Sequence, residues 1–161
     1  MEFKIPPWKH QKEAFDKAKE LDSFGLFFEQ GTGKTSTCIN MIRYKMNQKK
    51  KFMRTLILAP IIVLENWKKE FLANSDIKSE DIIILSGSEK DRCLKLVKNW
   101  SDAPRGLEVQ LPNPRSMDKA KIFITNYEGL LMKELFSLLK QYEPEVMVLD
   151  ESQRIKDPTT K

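Results

Sequence analysis

Apolar residues follow two spacings along the chain. Ala14, Phe15, Ala18 and Leu21 recur at helical intervals, so Gln11 to Leu21 predicts an amphipathic helix. Short, largely apolar runs come between: Gly25 to Phe28, Thr55 to Ala59, Asp81 to Leu85, Lys121 to Thr125 and Val146 to Leu149. Each predicts a strand, and Pro60 stops the second. Helical spacing fills the intervals at Thr35 to Asn47, Val63 to Leu72 and Lys90 to Trp100. One or two further helices are expected over Tyr127 to Tyr142. Near-continuous apolar strands alternating with helices predict an α/β fold with a mostly parallel central sheet covered on both faces. Residues 101–119 break this rhythm with Pro104, Gly106, Pro112 and Asn113-Pro114. They predict a long surface loop, with a short hairpin strand around Leu107 to Leu111.

Two stretches carry chemistry, and both lie at the carboxyl ends of predicted strands, where α/β sheets bind ligands. The first is Gly25 to Thr35, GLFFEQGTGKT, which runs from an apolar strand through a glycine loop into a helix. Backbone N–H groups and the positive end of the helix point at an anion in such a loop. Gly31, Thr32 and Gly33 let the backbone approach phosphate, and Gln30 and Ser36 flank them. Lys34 reaches the β- and γ-phosphates, and the Thr35 hydroxyl ligates Mg²⁺. Phe28 stands where the full pattern has glycine, so the match is to the shorter G-x-G-K-T core. The bland alternative is a surface glycine turn with a stray lysine. The second stretch is Val146-Met147-Val148-Leu149 followed by Asp150-Glu151. Asp150 is expected to hold Mg²⁺, and Glu151 to orient or deprotonate the attacking water. Together the two stretches predict ATP binding and hydrolysis.

Composition narrows this further. The 161 residues suffice for one domain, with 40% hydrophobic and 32% charged residues. His10 is the only histidine, which leaves a histidine-based metal site or catalytic triad little support. Cys38 and Cys93 have no metal or redox spacing and suit a reducing compartment. No apolar run is long enough to span a bilayer, and MEFKIPPWKH lacks a secretory core, so a cytoplasmic or other intracellular protein is expected. A net charge of +5 permits polyanion binding without requiring it. Lys49-Lys50-Lys51 reads as a solvated loop.

Five ordered blocks resemble the Swi/Snf-type branch of the superfamily 2 helicases, ATP-driven translocases on double-stranded DNA. Pro7-Trp8-Lys9-His10-Gln11 is similar to the block ending in the adenine-reading glutamine. Gly25 to Thr35 is similar to motif I, Leu56 to Phe71 (LILAPIIVLENWKKEF) to motif Ia, and Ile122 to Leu130 (IFITNYEGL) to motif Ib. Val146 to Lys161 resembles motif II and its tail. The resemblance implies a three-layer RecA-like P-loop NTPase domain: a single N-terminal lobe over residues 1–161. The second lobe, with its arginine fingers, is expected to be absent from this chain and to act in cis or in trans.

The resemblance also implies roles. Gln11 reads the adenine edge, and Gln153 senses the γ-phosphate. Gln153 stands where the family commonly has histidine; it can hydrogen-bond but cannot titrate near pH 7. Duplex DNA is expected at the loops after Pro60 and Thr125, through Asn66, Trp67 and Lys68 and through Thr125, Asn126 and Tyr127. Trp67 shares a helical face with Leu64 and Phe71, so core packing competes with that role. Contacts chiefly to phosphate imply sequence-tolerant, salt-sensitive binding. An arginine finger contributes about 10³ to 10⁵ in rate to comparable reactions, so a lone lobe is expected to turn over slowly. A stand-alone nucleotide- or DNA-binding module without efficient catalysis is the alternative. A small P-loop kinase is disfavoured, because the Asp-Glu pair and the Ia block have no role there.

Overall fold

The computed structural model describes residues 2–100 and 121–152. The loop and hairpin expected within 101–119, and Gln153, lie outside the described residues. The described residues form two compact units: residues 2–52 with 66–80, and residues 53–65 with 81–100 and 121–152.

The first unit carries two complete helices, α1 (Lys9–Ala18) and α2 (Lys34–Lys49). Helix α1 starts two residues earlier than the apolar spacing predicts, because the Gln11 side chain accepts the Trp8 N–H and closes the first turn. Phe15 and Ala18 of α1 pack on Met41 of α2, with Phe3, Leu26 and Tyr44 around them. The rings of Phe3 and Tyr44 both meet Phe15 edge-on, at 5.1 and 5.7 Å. The end of α2 is set by Lys50, whose left-handed backbone cannot continue the helix.

The second unit holds the sheet. Its strands are β1 (Thr55–Leu58), β2 (Ile82–Ile84), β3 (Ile122–Thr125) and β4 (Val146–Leu149). They lie in the order β2-β3-β1-β4, and every pairing is parallel. Helix α3 (Leu64–Asn74) follows β1 through the 3₁₀ turn Ile61–Val63. Helix α4 (Glu89–Lys98) starts at Ser88, whose hydroxyl accepts the Asp91 N–H while the Asp91 carboxylate accepts the Ser88 N–H. The Ser88 hydroxyl also donates to this carboxylate and, with the Ser88 N–H second, holds the Asp91 carboxyl below the usual carboxylate range. The predicted Tyr127–Tyr142 segment resolves into a 3₁₀ turn, Tyr127–Leu131, and helix α5 (Lys133–Tyr142).

Leu56, Leu58 and Phe123 form one face of the sheet, packed with Leu96 and Val97 of α4 and Leu135, Leu138, Leu139 and Tyr142 of α5. The Tyr142 ring meets Phe123 edge-on at 4.9 Å and Trp100 at 5.7 Å. At the amino end of β3, Lys121 pairs with Asp81 at 3.0 Å, both largely buried. Ile57, Ile82, Ile122 and Ile124 point to the opposite face and are also fully buried. That is the near-continuous apolar signature of a parallel sheet.

Two expectations are corrected. Gly25 to Phe28 is not a strand: no described strand pairs with it, and the Phe27 side chain is almost wholly exposed. A four-residue apolar run fixes neither its backbone nor its partner. Nor is every strand covered on both faces. Along β4, half-buried and exposed residues alternate, with Met147 and Leu149 outward.

Candidate nucleotide-binding site

The glycine loop enters α2 through two residues with left-handed backbone, Gly31 (φ 77°) and Gly33 (φ 84°). Such torsions suit glycine and strain other residues. The Gly33 carbonyl accepts from the Thr37 N–H and from the hydroxyls of Ser36 and Thr37. The first N–H groups of α2 have no intrahelical partner and face outward from the helix end. Lys34 folds back over the loop, donating to the carbonyls of Phe28 at 2.7 Å and Glu29 at 3.0 Å. Thr32 donates its hydroxyl to the Glu29 carbonyl. Gln30 is exposed, and Thr35 and Ser36 are half-buried at the helix start.

Helix α1 braces this turn. Gln11 donates its amide to the Thr32 carbonyl at 2.9 Å while its oxygen accepts from Trp8. His10 Nε2 lies 2.9 Å from the same carbonyl, so the ring carries its proton on Nε2 there. Its ring also meets Phe28 edge-on at 5.2 Å. Gln11 is buried, but its amide keeps one N–H and one lone pair beyond these bonds. Gln11, expected at an adenine edge, is bonded to this loop, and His10, which the sequence did not single out for the site, joins it. The available signal was adjacency: His10 and Gln11 are successive residues of the same block.

The brace makes Gly33 exacting. A Cβ there would sit 2.1 Å from Gln11 Nε2, whereas a Cβ on Gly31 would meet nothing within 4 Å. Gly33→Ala therefore drives the Gln11 amide off Thr32 and strains the backbone, whereas Gly31→Ala only strains the backbone. The expected stability loss is about 2 kcal/mol for Gly33→Ala and about half that for Gly31→Ala, read by thermal denaturation. Equal losses would contradict the bracing role of Gln11.

In the second unit, register gathers three loops at one end of the sheet, since Leu58 lies beside both Thr125 and Leu149. Asp150 continues the ladder, with its N–H donating to the Leu58 carbonyl at 2.8 Å. Its own carbonyl accepts the Tyr127 hydroxyl at 2.6 Å. Glu151 then takes a left-handed backbone, φ 50°, uncommon for a residue with a side chain. Burial and the charges of Asp150 and Glu151 push the Tyr127 hydroxyl up to about 12, so it stays protonated and donates.

The loop after β3 turns inward. Thr125 and Asn126, expected at a nucleic-acid surface, are buried. Both accept from the buried Arg92 of α4, at 3.1 and 2.5 Å, and Arg92 Nε donates to the Gly87 carbonyl. Thr125 donates to Leu85, and Asn126 to Glu128. A Cβ on Gly129 would sit 2.9 Å from Arg92 Nη1, so glycine there leaves room for the guanidinium. Trp67 is buried against Phe71, as its helical face predicts, while Asn66 is exposed and Lys68 half-buried.

Residues 17–161 match the family model of the SNF2-related domain. The chain belongs to the SNF2-related domain family. Relatives include the Zorya protein ZorD of Escherichia coli O139:H28, 32% identical over 81% of this chain and 12% of its own length. The chromodomain-helicase-DNA-binding protein 1-like of Danio rerio is 28% identical over 80% of this chain and 11% of its own. The ATP-dependent helicase brm of Drosophila melanogaster is 27% identical over 80% and 7%. The chain thus spans about a tenth of the length of these relatives. The Sulfolobus solfataricus SWI2/SNF2 ATPase core, solved in complex with double-stranded DNA, superposes with a TM-score of 0.69 at 22% identity. That match covers 98% of this SNF2-related chain and 28% of the other, and gives it the RecA-like α/β fold. No described helix is long and apolar enough to cross a membrane.

The Thr35 hydroxyl in the first unit and the Asp150 carboxylate in the second are each hard oxygen donors. Mg²⁺ suits such donors and keeps several waters, taking one or two protein ligands beside substrate phosphates. No group of three or more histidine, cysteine or acidic side chains that would hold an ion alone occurs among the described residues. Each of these oxygen donors, taken by its own chemistry, is of the kind Mg²⁺ takes.

Proposed function

We propose that this chain is the ATP-binding lobe of a Swi/Snf-like DNA translocase, coupling ATP hydrolysis to movement on duplex DNA together with a second RecA-like lobe. One observation carries the reading: two left-handed glycines open a sixteen-residue helix whose first residue is a lysine turned over the loop. Triphosphate oxygens would take the place of the Phe28 and Glu29 carbonyls at Lys34 Nζ. Backbone from Gly31 to Lys34 would bind the phosphates, and Thr35 and Asp150 would hold Mg²⁺, which neutralises phosphate charge when bound. Glu151 would orient the attacking water. Gln11 has hydrogen-bonding capacity left for an adenine edge. Gln153 would sense the γ-phosphate.

For DNA, the exposed Asn66 and the half-buried Lys68 are the favoured side chains, and the loop holding Tyr127 would offer backbone N–H groups. Trp67, Thr125 and Asn126 would act by shaping these segments, since their side chains are turned inward. Binding should follow phosphate chemistry. Titrating the chain with duplexes of unrelated sequence should give similar affinities that fall linearly with log salt. Affinity indifferent to salt, or confined to one sequence, would contradict the phosphate-tracking reading.

A further inference from the structure

The peptide groups on both sides of Asp150 are fixed. The preceding N–H is held by Leu58 and the following carbonyl by the Tyr127 hydroxyl. The second bond matters for chemistry, because the Asp150–Glu151 peptide plane sets the φ of Glu151. That φ is 50°, in the sparsely populated left-handed region. A residue in that region relaxes to ordinary backbone unless its neighbours hold it, and here the hydroxyl holds the plane. Rotating that plane would redirect the Glu151 side chain.

We propose that Tyr127 is a positioning residue: its hydroxyl locks the Asp150–Glu151 peptide and so aims the Glu151 carboxylate at the hydrolytic water. The inference rests on the reading of Glu151 as the water-orienting group. Tyr127 is itself immobilised. It follows Asn126, which is clasped between Arg92 and Glu128, and Gly129 leaves space for Arg92. A chain of bonds therefore runs from α4 through the loop after β3 to the acidic turn.

The fold supplies its own control. Tyr142 also donates its hydroxyl to a backbone carbonyl, that of Lys121, but at the amino end of β3. Tyr127→Phe and Tyr142→Phe each delete one such hydroxyl and keep the ring. The experiment measures ATP turnover and ATP affinity for both variants and wild type, in the protein with its second lobe present. Tyr127→Phe should lower kcat about 10- to 100-fold, the range a misplaced catalytic group produces, with ATP affinity within about twofold of wild type. Tyr142→Phe should keep wild-type kcat. Unchanged kcat in Tyr127→Phe overturns the proposal, and so does an equal fall in both variants, which would mean loosening of the whole unit. Wild-type turnover insensitive to Glu151→Gln would instead overturn the assignment of Glu151 itself, a result distinguishable from the other two.

Discussion

Glu151→Gln leaves ATP bound and lowers its turnover by about 10²- to 10⁴-fold, the span of a lost general base. Glutamine keeps the length of the side chain and the same backbone requirement at φ 50°. It keeps one acceptor oxygen but has no charge to attract a proton from water. The loss therefore falls on kcat. Asp150 is untouched, and its N–H bond to Leu58 and its carbonyl bond to Tyr127 remain. Steady-state turnover together with calorimetric ATP binding separates the two effects. Turnover within a few-fold of wild type would remove Glu151 from the chemistry.

Lys34→Ala loses the triphosphate selectively. A charge-assisted hydrogen bond contributes about 1.5–3 kcal/mol, so the ATP dissociation constant should rise by about 10- to 100-fold. Lys34 also ties together the Phe28 and Glu29 carbonyls, so alanine loosens the loop as well as removing charge. Comparing ATP with adenosine separates these contributions. Adenosine carries no phosphate, and its weak affinity should hardly change. If both ligands weaken equally, Lys34 acts on the shape of the loop and not on phosphate.

Much of this was legible in the chain because local chemistry wrote it. Gly31-Thr32-Gly33-Lys34-Thr35 needs left-handed backbone and then a helix, and both are present. Val146 to Leu149 needed only its apolar run and the acidic stop after it, and its bounds agree residue for residue. Helix ends were less legible, because caps such as Gln11 to Trp8 depend on single hydrogen bonds. Gly25 to Phe28 failed as a strand because parallel pairing needs a partner distant in sequence, which periodicity cannot name. The inward turn of Thr125 and Asn126 was hidden for a similar reason. It depends on Arg92, more than thirty residues earlier, reaching across from α4. Nothing in the sequence pattern singles out Arg92; its burial comes from tertiary packing. Tyr127 was expected at the loop but not its bond to Asp150, since that contact requires the β1 register to bring β3 and β4 to a common end.

Duplex DNA is expected to stimulate ATP hydrolysis at Lys34 and Glu151. The most direct test measures ATP turnover with and without double-stranded DNA, in the chain joined to a second RecA-like lobe, for wild type and Glu151→Gln. Turnover should rise on adding duplex and be lost in the variant. Turnover that is the same with and without DNA would contradict it.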